Sequence, residues 1–367
     1  MDYQLSQMCE QVMSARANFR PIEIVGGGTK RFYGNPSASH EQPLSLQMMS
    51  LSGVLGYEPS ELVITALAGT PLTEIQATLD AQGQMLAFDP PAFGPSSTIG
   101  GVVASGLSGP LSFGYGPLRH YVLGLHLLDA QGRVLKFGGE VMKNVAGYDV
   151  SRLIAGSLGT FGVIVQVSMK VIPKPTLDQT QVFSMSEAQA LAWCHGLRAK
   201  PLPVKAAAWL AQPGHEDVGQ LAVRLCGAES AVKQAQKELG GETMPDESAQ
   251  TWWRGFRDQT HAFFQALPLW RVAVRAGTGP LALGPSAFDL GGEIRWVSAA
   301  VSAEHIRQVA QRADGHATLF RWVDVDSLPA DGVFQPMQPA ATSIVRRLKQ
   351  EFDPKAIFNA GRLLAGL

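Results

Sequence analysis

The chain has little cysteine, almost no net charge and no long apolar run. Its three cysteines, Cys9, Cys194 and Cys226, lie far apart with no C-x-x-C between them. That spacing excludes a cysteine-held iron–sulfur cluster or zinc site. Isolated thiols also suit a reducing compartment. Lys and Arg total 30 against 31 Asp and Glu, a formal net charge of -1. With no basic run, nothing in the charge draws the chain to nucleic acid. No apolar stretch reaches the length of a membrane-crossing helix. The opening residues, Met1 to Gln11, have neither the basic start nor the apolar core of a secretion signal, so the expected location is cytoplasmic. The eight histidines are dispersed with no H-x-H, so no metal site is expected from spacing.

Glycine is abundant instead. Gly94, Gly100, Gly101, Gly106, Gly109, Gly114, Gly116, Gly147, Gly156, Gly159 and Gly162 crowd the stretch from Pro91 to Ile164. Glycine loses the most backbone freedom on folding. Such a concentration implies that backbone approaches something closely, and a bound cofactor is the simplest object. A turn-rich β domain is the alternative.

Leu5, Met8, Cys9, Val12 and Met13 recur at helical spacing, which predicts a helix over 5–16. A short strand over 21–25 runs into Gly26-Gly27-Gly28-Thr29-Lys30, whose consecutive N–H groups make a nest suited to phosphate. The sixth position from Gly26 is Arg31, which breaks the Rossmann fingerprint, and Lys30-Arg31 lacks the Walker order. A strand is predicted over 62–67, then a helix entered at Pro71 and closed by Gly83. Ser96 or Ser97 is expected to cap a short helix over 98–105, whose free N–H groups would face a pyrophosphate. A hairpin over 121–137, a helix over 149–155 and a strand over 161–172 follow.

In this order the motifs resemble the PCMH-type, vanillyl-alcohol-oxidase-like family of FAD-binding flavoproteins, and within it the flavoprotein subunits of glycolate oxidase. The resemblance covers nearly the whole chain. It places Gly26, Gly27, Gly28 and Thr29 on the first phosphate loop. Pro95, Ser96, Ser97, Thr98, Gly100 and Gly101 fall on the second, with Gly106, Ser108 and Gly109 on the adjoining cofactor loop. Lys143 to Asp149 resembles the segment before the last flavin loop. Gly156, Gly159, Thr160, Gly162, Val163 and Ile164 fall on the loop and strand passing the isoalloxazine ring. No histidine or cysteine occurs over 26–29 or over 91–119, so non-covalent FAD is expected; His120 is the nearest histidine and reads as structural.

The implied fold is α+β: a two-subdomain PCMH-type FAD-binding domain over 1–174, an α+β ferredoxin-like cap over 175–340, and a C-terminal segment over 341–367 that returns to the FAD domain. Pro173-Lys174-Pro175 marks the boundary. Alternating strands and helices follow, with the helices expected on one face of an antiparallel sheet. A basic amphipathic helix is predicted over 344–352. The tail Asp353-Pro354 to Phe358-Asn359-Ala360-Gly361 resembles the family's closing D-P…F-N-P-G, with Ala360 where proline is usual. Asn359 either bonds near the ring or only turns the chain.

Oxidising a 2-hydroxy acid needs a cation for the carboxylate and a base for the hydroxyl. The cap offers Arg271, Arg275, Arg295, His316 and Arg321. Period-two spacing puts Arg271 and Arg275 on one strand face. His316, Arg271 and Arg321 are the catalytic candidates. The metal-linked histidine set of the related catalytic subunit is missing. The resemblance therefore implies one FAD-binding subunit of a glycolate oxidase complex, beside a second FAD-containing subunit and an iron–sulfur subunit, and peripheral to the inner membrane through them. Two alternatives stay open: a self-sufficient FAD-dependent 2-hydroxy-acid oxidoreductase, and a non-catalytic structural subunit.

Overall fold

The computed structural model describes residues 2–37, 42–139, 149–212 and 215–367. Lys143 to Tyr148 of the segment singled out above therefore lie outside the described residues. The first part of the chain runs α1 (Asp2–Ala17), β1 (Ile22–Val25), β2 (Leu44–Gln47), β3 (Val54–Glu58), β4 (Val63–Leu67), α2 (Leu72–Asp80), β5 (Gln84–Met85), α3 (Ile99–Ser105), α4 (Ser112–Tyr115), β6 (Val122–Leu128), β7 (Val134–Gly138), α5 (Val150–Ile154), β8 (Val163–Lys170) and β9 (Ile172–Pro173). Strands β1 and β2 pair in parallel, and an antiparallel sheet has the order β3-β4-β8-β6-β7. The apolar run of β4 is buried at all five positions, as a strand covered on both faces requires. Helix α3 seats on this sheet because its residues are small. A methyl group at Gly100 would lie 2.6 Å from the Ala68 Cβ.

The rest comprises β10 (Leu177–Met185), α6 (Glu187–Leu197), β11 (Val204–Gln212), β12 (His215–Gly227), α7 (Glu229–Leu239), β13 (Glu242–Met244), α8 (Asp246–Arg257), β14 (Leu269–Ala273), β15 (Ser286–Asp289), β16 (Ile294–Ser298), α9 (Ala303–Arg312), β17 (His316–Arg321) and α10 (Pro339–Phe352). Its eight strands form one antiparallel sheet, ordered β13-β10-β12-β11-β15-β16-β14-β17. Numbered within each half, the order is 4-1-3-2 followed by 2-3-1-4. The cap is thus two ferredoxin-like units joined edge to edge. The first helix of the second unit is replaced by the loop over 274–285.

Helices α6, α7 and α9 cover one face, burying Trp209, Val223, Ile306 and Leu319 among others. Each large aliphatic side chain so buried contributes about 1.5–3 kcal/mol. The expectation that all cap helices share this face is corrected by α8, which periodicity did not reveal. It packs through Trp253 and Phe256 on the opposite face, where the sheet also meets Phe32, Tyr33 and Phe93 of the first unit. The strand predicted over 161–172 is β8 and β9, interrupted at Val171.

Candidate functional site

A groove runs along the first unit. It is lined by Gly26, Gly27, Gly28, Thr29, Thr98, Gly100, Gly101, Gly159, Gly162, Ile164 and Asn359 of the predicted set. Four charged residues that sequence reasoning did not select also line it: Glu23, Lys30, Arg31 and Arg362. Lys30 and Arg362 were visible as the last residues of G-G-G-T-K and F-N-A-G-R, but neither motif assigned the cation a task.

The other predicted positions are set back and hold the lining in place. Ser96 Oγ donates to Gly27 O at 2.8 Å, and Lys30 Nζ donates to Ser97 Oγ at 2.8 Å. These two serines therefore tie the loops together rather than cap a helix. Thr98 caps α3, its hydroxyl accepting from Gly101 N. Ile99 N and Gly100 N donate to Thr70 O and Ala68 O, so the free N–H groups expected at this helix are already consumed. Ser108 Oγ accepts from Leu118 N at 2.9 Å. Gly106 and Gly156 pass each other, a methyl on the former lying 2.8 Å from the latter's Cα. Val163 is fully buried in β8, Thr160 lends its carbonyl to Lys349 Nζ, and Pro95 lies in the turn before Ser96.

The glycine crowding thus has a different main cause from the one expected. A methyl at Gly27 would fall 1.5 Å from Ser96 O, at Gly109 2.3 Å from Asp89 O, and at Gly114 2.7 Å from the Lys205 Cα. Chain passes chain there. Gly101 differs: a methyl on it meets only Thr98 Oγ1, at 3.2 Å, and Gly101 lines the groove. Among the described residues, the N–H groups of Gly27, Gly28 and Thr29 meet no protein acceptor. Open N–H groups, a glycine in the lining and three cations fit a ligand carrying a diphosphate.

The chain's tail closes one end of the groove. Asn359 Oδ1 accepts from Ile24 N at 2.9 Å, its Nδ2 donates to Leu158 O at 2.6 Å, and its own N donates to Ile22 O at 3.0 Å. Its side-chain amide is spent on fixing the tail to β1 and to the Gly156–Thr160 loop. Asn35 is a second junction. Its Oδ1 accepts from Val333 N of the cap exit, and its Nδ2 donates to Gly361 O.

Arg271 and His316 lie on the sheet face that meets the first unit, together with Asp289. Ala273 pairs with His316, and Arg271 pairs with Thr318. His316 has its pKa lowered by partial desolvation and by the Arg271 guanidinium. Burial pushes the Asp289 carboxyl up to about 7, opposed by the Leu290 N–H and by Arg271. A bulge between Leu269 and Trp270 of β14 and their partners turns both Phe320 and Arg321 to this side. Arg321 stacks on Phe32 at 4.5 Å and Phe93 at 5.6 Å. Phe320 packs edge-on against Trp296 and Phe32. Two expectations fail here. The strand ends at Ala273, and Arg275 is exposed beside Asp314. Arg295 is buried on the opposite face, donating to Thr278 O at 2.6 Å. His120 is exposed at the end of a short turn and does not line the groove. Among the described residues, no group of three His, Cys, Asp or Glu is placed to hold a metal ion, and no helix is long and apolar enough to cross a membrane.

Comparison with known proteins agrees with this geometry. Residues 5–138 match the family model described as an FAD binding domain, and the cofactor is FAD. The chain is 38% identical over 363 residues to glycolate oxidase subunit GlcE of Escherichia coli (strain K12), covering 98% of this chain and 97% of that one. It is 32% identical over 160 residues to glycolate oxidase subunit GlcD of Bacillus subtilis (strain 168), 44% of this chain and 33% of the relative. Among solved structures, alkyldihydroxyacetonephosphate synthase superposes with a TM-score of 0.68 at 16% identity, over 97% of this chain and 75% of that one. That likeness shows the fold.

Proposed function

This chain belongs to the family of glycolate oxidase subunit GlcE, and from that premise we propose that it is the FAD-bearing electron-transfer subunit of a multi-subunit glycolate oxidase, oxidising glycolate to glyoxylate. In this reading a second flavin subunit holds the main substrate site and an iron–sulfur subunit takes electrons onward, with the assembly cytoplasmic and peripheral to a membrane. Residues 1–174 and the tail over 341–367 form the cofactor unit, and 175–340 form the cap. FAD, when bound, would supply a two-electron carrier between the second flavin subunit and the iron–sulfur subunit.

The observation that carries this reading is the filling of the space between cap and cofactor loops. Phe32, Phe93, Phe320 and Trp296 interlock there at centroid distances of 5.0–6.3 Å. Aromatic packing of this kind leaves little room for a substrate beside the loops. The shared face of Arg271, His316 and Asp289 favours a second reading, a self-sufficient 2-hydroxy-acid oxidoreductase. In it Arg271 would hold the carboxylate, His316 would take the hydroxyl proton, and Arg321 would support the site from the aromatic side.

Anaerobic stopped-flow mixing of the isolated, FAD-loaded chain with glycolate separates the two. The first reading expects flavin reduction far slower than in the complex, restored by adding the second flavin subunit. Reduction of the isolated chain at the rate of the complex establishes the second.

A further inference from the structure

The three cations of the groove differ in how their charge is spent. Arg31 is exposed and paired with Glu23 at 3.3 Å. Arg362 donates to the carbonyls of Arg31 and Tyr33. Lys30 donates to Ser97 Oγ at 2.8 Å, Ala92 O at 3.2 Å and Thr29 Oγ1 at 3.4 Å, all neutral groups, and its ammonium lies 5.8 Å from the Phe93 ring centroid. It therefore bridges both phosphate loops with its charge uncompensated by contact with any carboxylate.

Ala92, whose carbonyl accepts from Lys30, is held through its N–H by the cap. Ala92 N donates to Asp258 Oδ1 at 2.8 Å. Arg257, the last residue of α8, braces Asp258 at 2.7 Å and reaches Asp89 of the first unit at 3.2 Å. One residue thus links the end of a cap helix to a groove cation.

We propose that Lys30 is the cation that engages the cofactor's diphosphate, and that Asp258 of the cap positions it through Ala92, so that FAD binding and cap docking are coupled. This rests on FAD as occupant of the groove. A diphosphate supplies the anion that Lys30 lacks by displacing the longest of its three bonds, that to Thr29 Oγ1 at 3.4 Å, and charge-assisted hydrogen bonds are about twice as strong as neutral ones. Burial lowers the Lys30 pKa to about 8, with Asp258 opposing the shift. Asp258 is itself paired with Arg257, which also meets Asp89, and Arg321 lies, like Lys30, within 6 Å of the Phe93 ring centroid, at 5.6 Å. Below about pH 8 the apo ammonium is already present and FAD binds at full strength. Above it, binding must take up a proton and weakens.

The test is calorimetric titration of the apo full-length chain with FAD, in two buffers of different ionisation enthalpy, across about pH 6.5 to 9. The wild type is expected to take up protons on binding only in the upper half of that range. Lys30→Arg keeps the affinity and loses the uptake. Lys30→Met binds about 10- to 100-fold more weakly. Asp258→Asn keeps an acceptor for Ala92 N but moves the onset of uptake to lower pH. Asp258→Ala weakens FAD about tenfold and removes FAD-induced hydrogen-exchange protection of α8. Lys30→Met of undiminished affinity overturns the role of Lys30. Undiminished FAD affinity and α8 protection in Asp258→Ala overturn the coupling. Failure of the wild type to bind FAD would instead sink the cofactor reading itself. If Lys30→Met does not fold, the affinity of Lys30→Gln decides in its place.

Discussion

Lys349 Nζ lies 2.7 Å from Asp353 Oδ2, with the two side chains 4% and 0% exposed. The ammonium also donates to Thr160 O and Phe358 O, while the carboxylate accepts from Ile357 N and Phe358 N. This pair fastens the tail to the Gly156–Thr160 loop. Removing one partner of a buried pair leaves an uncompensated charge, at a cost of about 3–5 kcal/mol. Lys349→Met is expected to lose that much in urea unfolding and to weaken FAD binding. A loss below about 1 kcal/mol would contradict the role assigned to the pair.

Gly101 and Gly27 should respond differently to substitution. Gly101→Glu places a carboxylate into the groove where only Thr98 is near, so the chain folds but FAD affinity falls by at least about tenfold through clash and like charge. Gly27→Ala drives a methyl into Ser96 O and should lower stability as well. Fluorescence titration with FAD, together with circular dichroism melting, distinguishes them. Wild-type affinity in Gly101→Glu would remove Gly101 from the site.

Asp289 makes stability depend on pH. Its folded carboxyl titrates at about 7 against an ordinary 3.8, so the folded state holds its proton across that interval. The resulting stabilisation is full below about pH 4 and is lost as pH rises through about 7, by at most about 4 kcal/mol. Asp289→Asn cannot titrate. Relative to the wild type it should gain stability between about pH 4 and 7 and then level off. Urea midpoints at several pH values measure this, and parallel curves for the two proteins would refute it.

FAD is expected to be held without a covalent bond. Neither the groove lining nor the loops over 26–29 and 91–119 contain a histidine or cysteine. Acid precipitation should release all flavin to the supernatant; yellow pellet would sink the claim.

Much of this architecture was legible in the sequence because its signals are local. The periodic run predicted over 5–16 lies within α1, and the hairpin around Gly132 follows from turn chemistry. Helix α8 went unread because its apolar face, Trp253 and Phe256, lies in a polar, charged stretch and is buried by tertiary contact, with Thr180 of β10 as well as with Phe264. Lys349 looked like one more cation on a basic helix; only tertiary contact turns it inward. The glycines announced close approach, but spacing cannot say whether the approaching body is a ligand or another strand. At Gly27, Gly109 and Gly114 it is the chain itself. The catalytic candidates were chosen by side-chain chemistry; strand period placed only Arg271 and Arg275 on one face, and it fails where β14 stops at Ala273.

The groove takes Gly26 from near the start of the chain and Asn359 and Arg362 from near its finish. On a ribosome these meet only after everything between them has been made, roughly 20–70 s later at about 5–20 residues per second. Cap strands and helices emerge in the meantime and can pair with one another, while β1 waits without the Phe358 contact that borders it. Completion of the groove therefore waits on the segment that carries Asn359. A chain stalled before Asn359 would present an unfinished cradle.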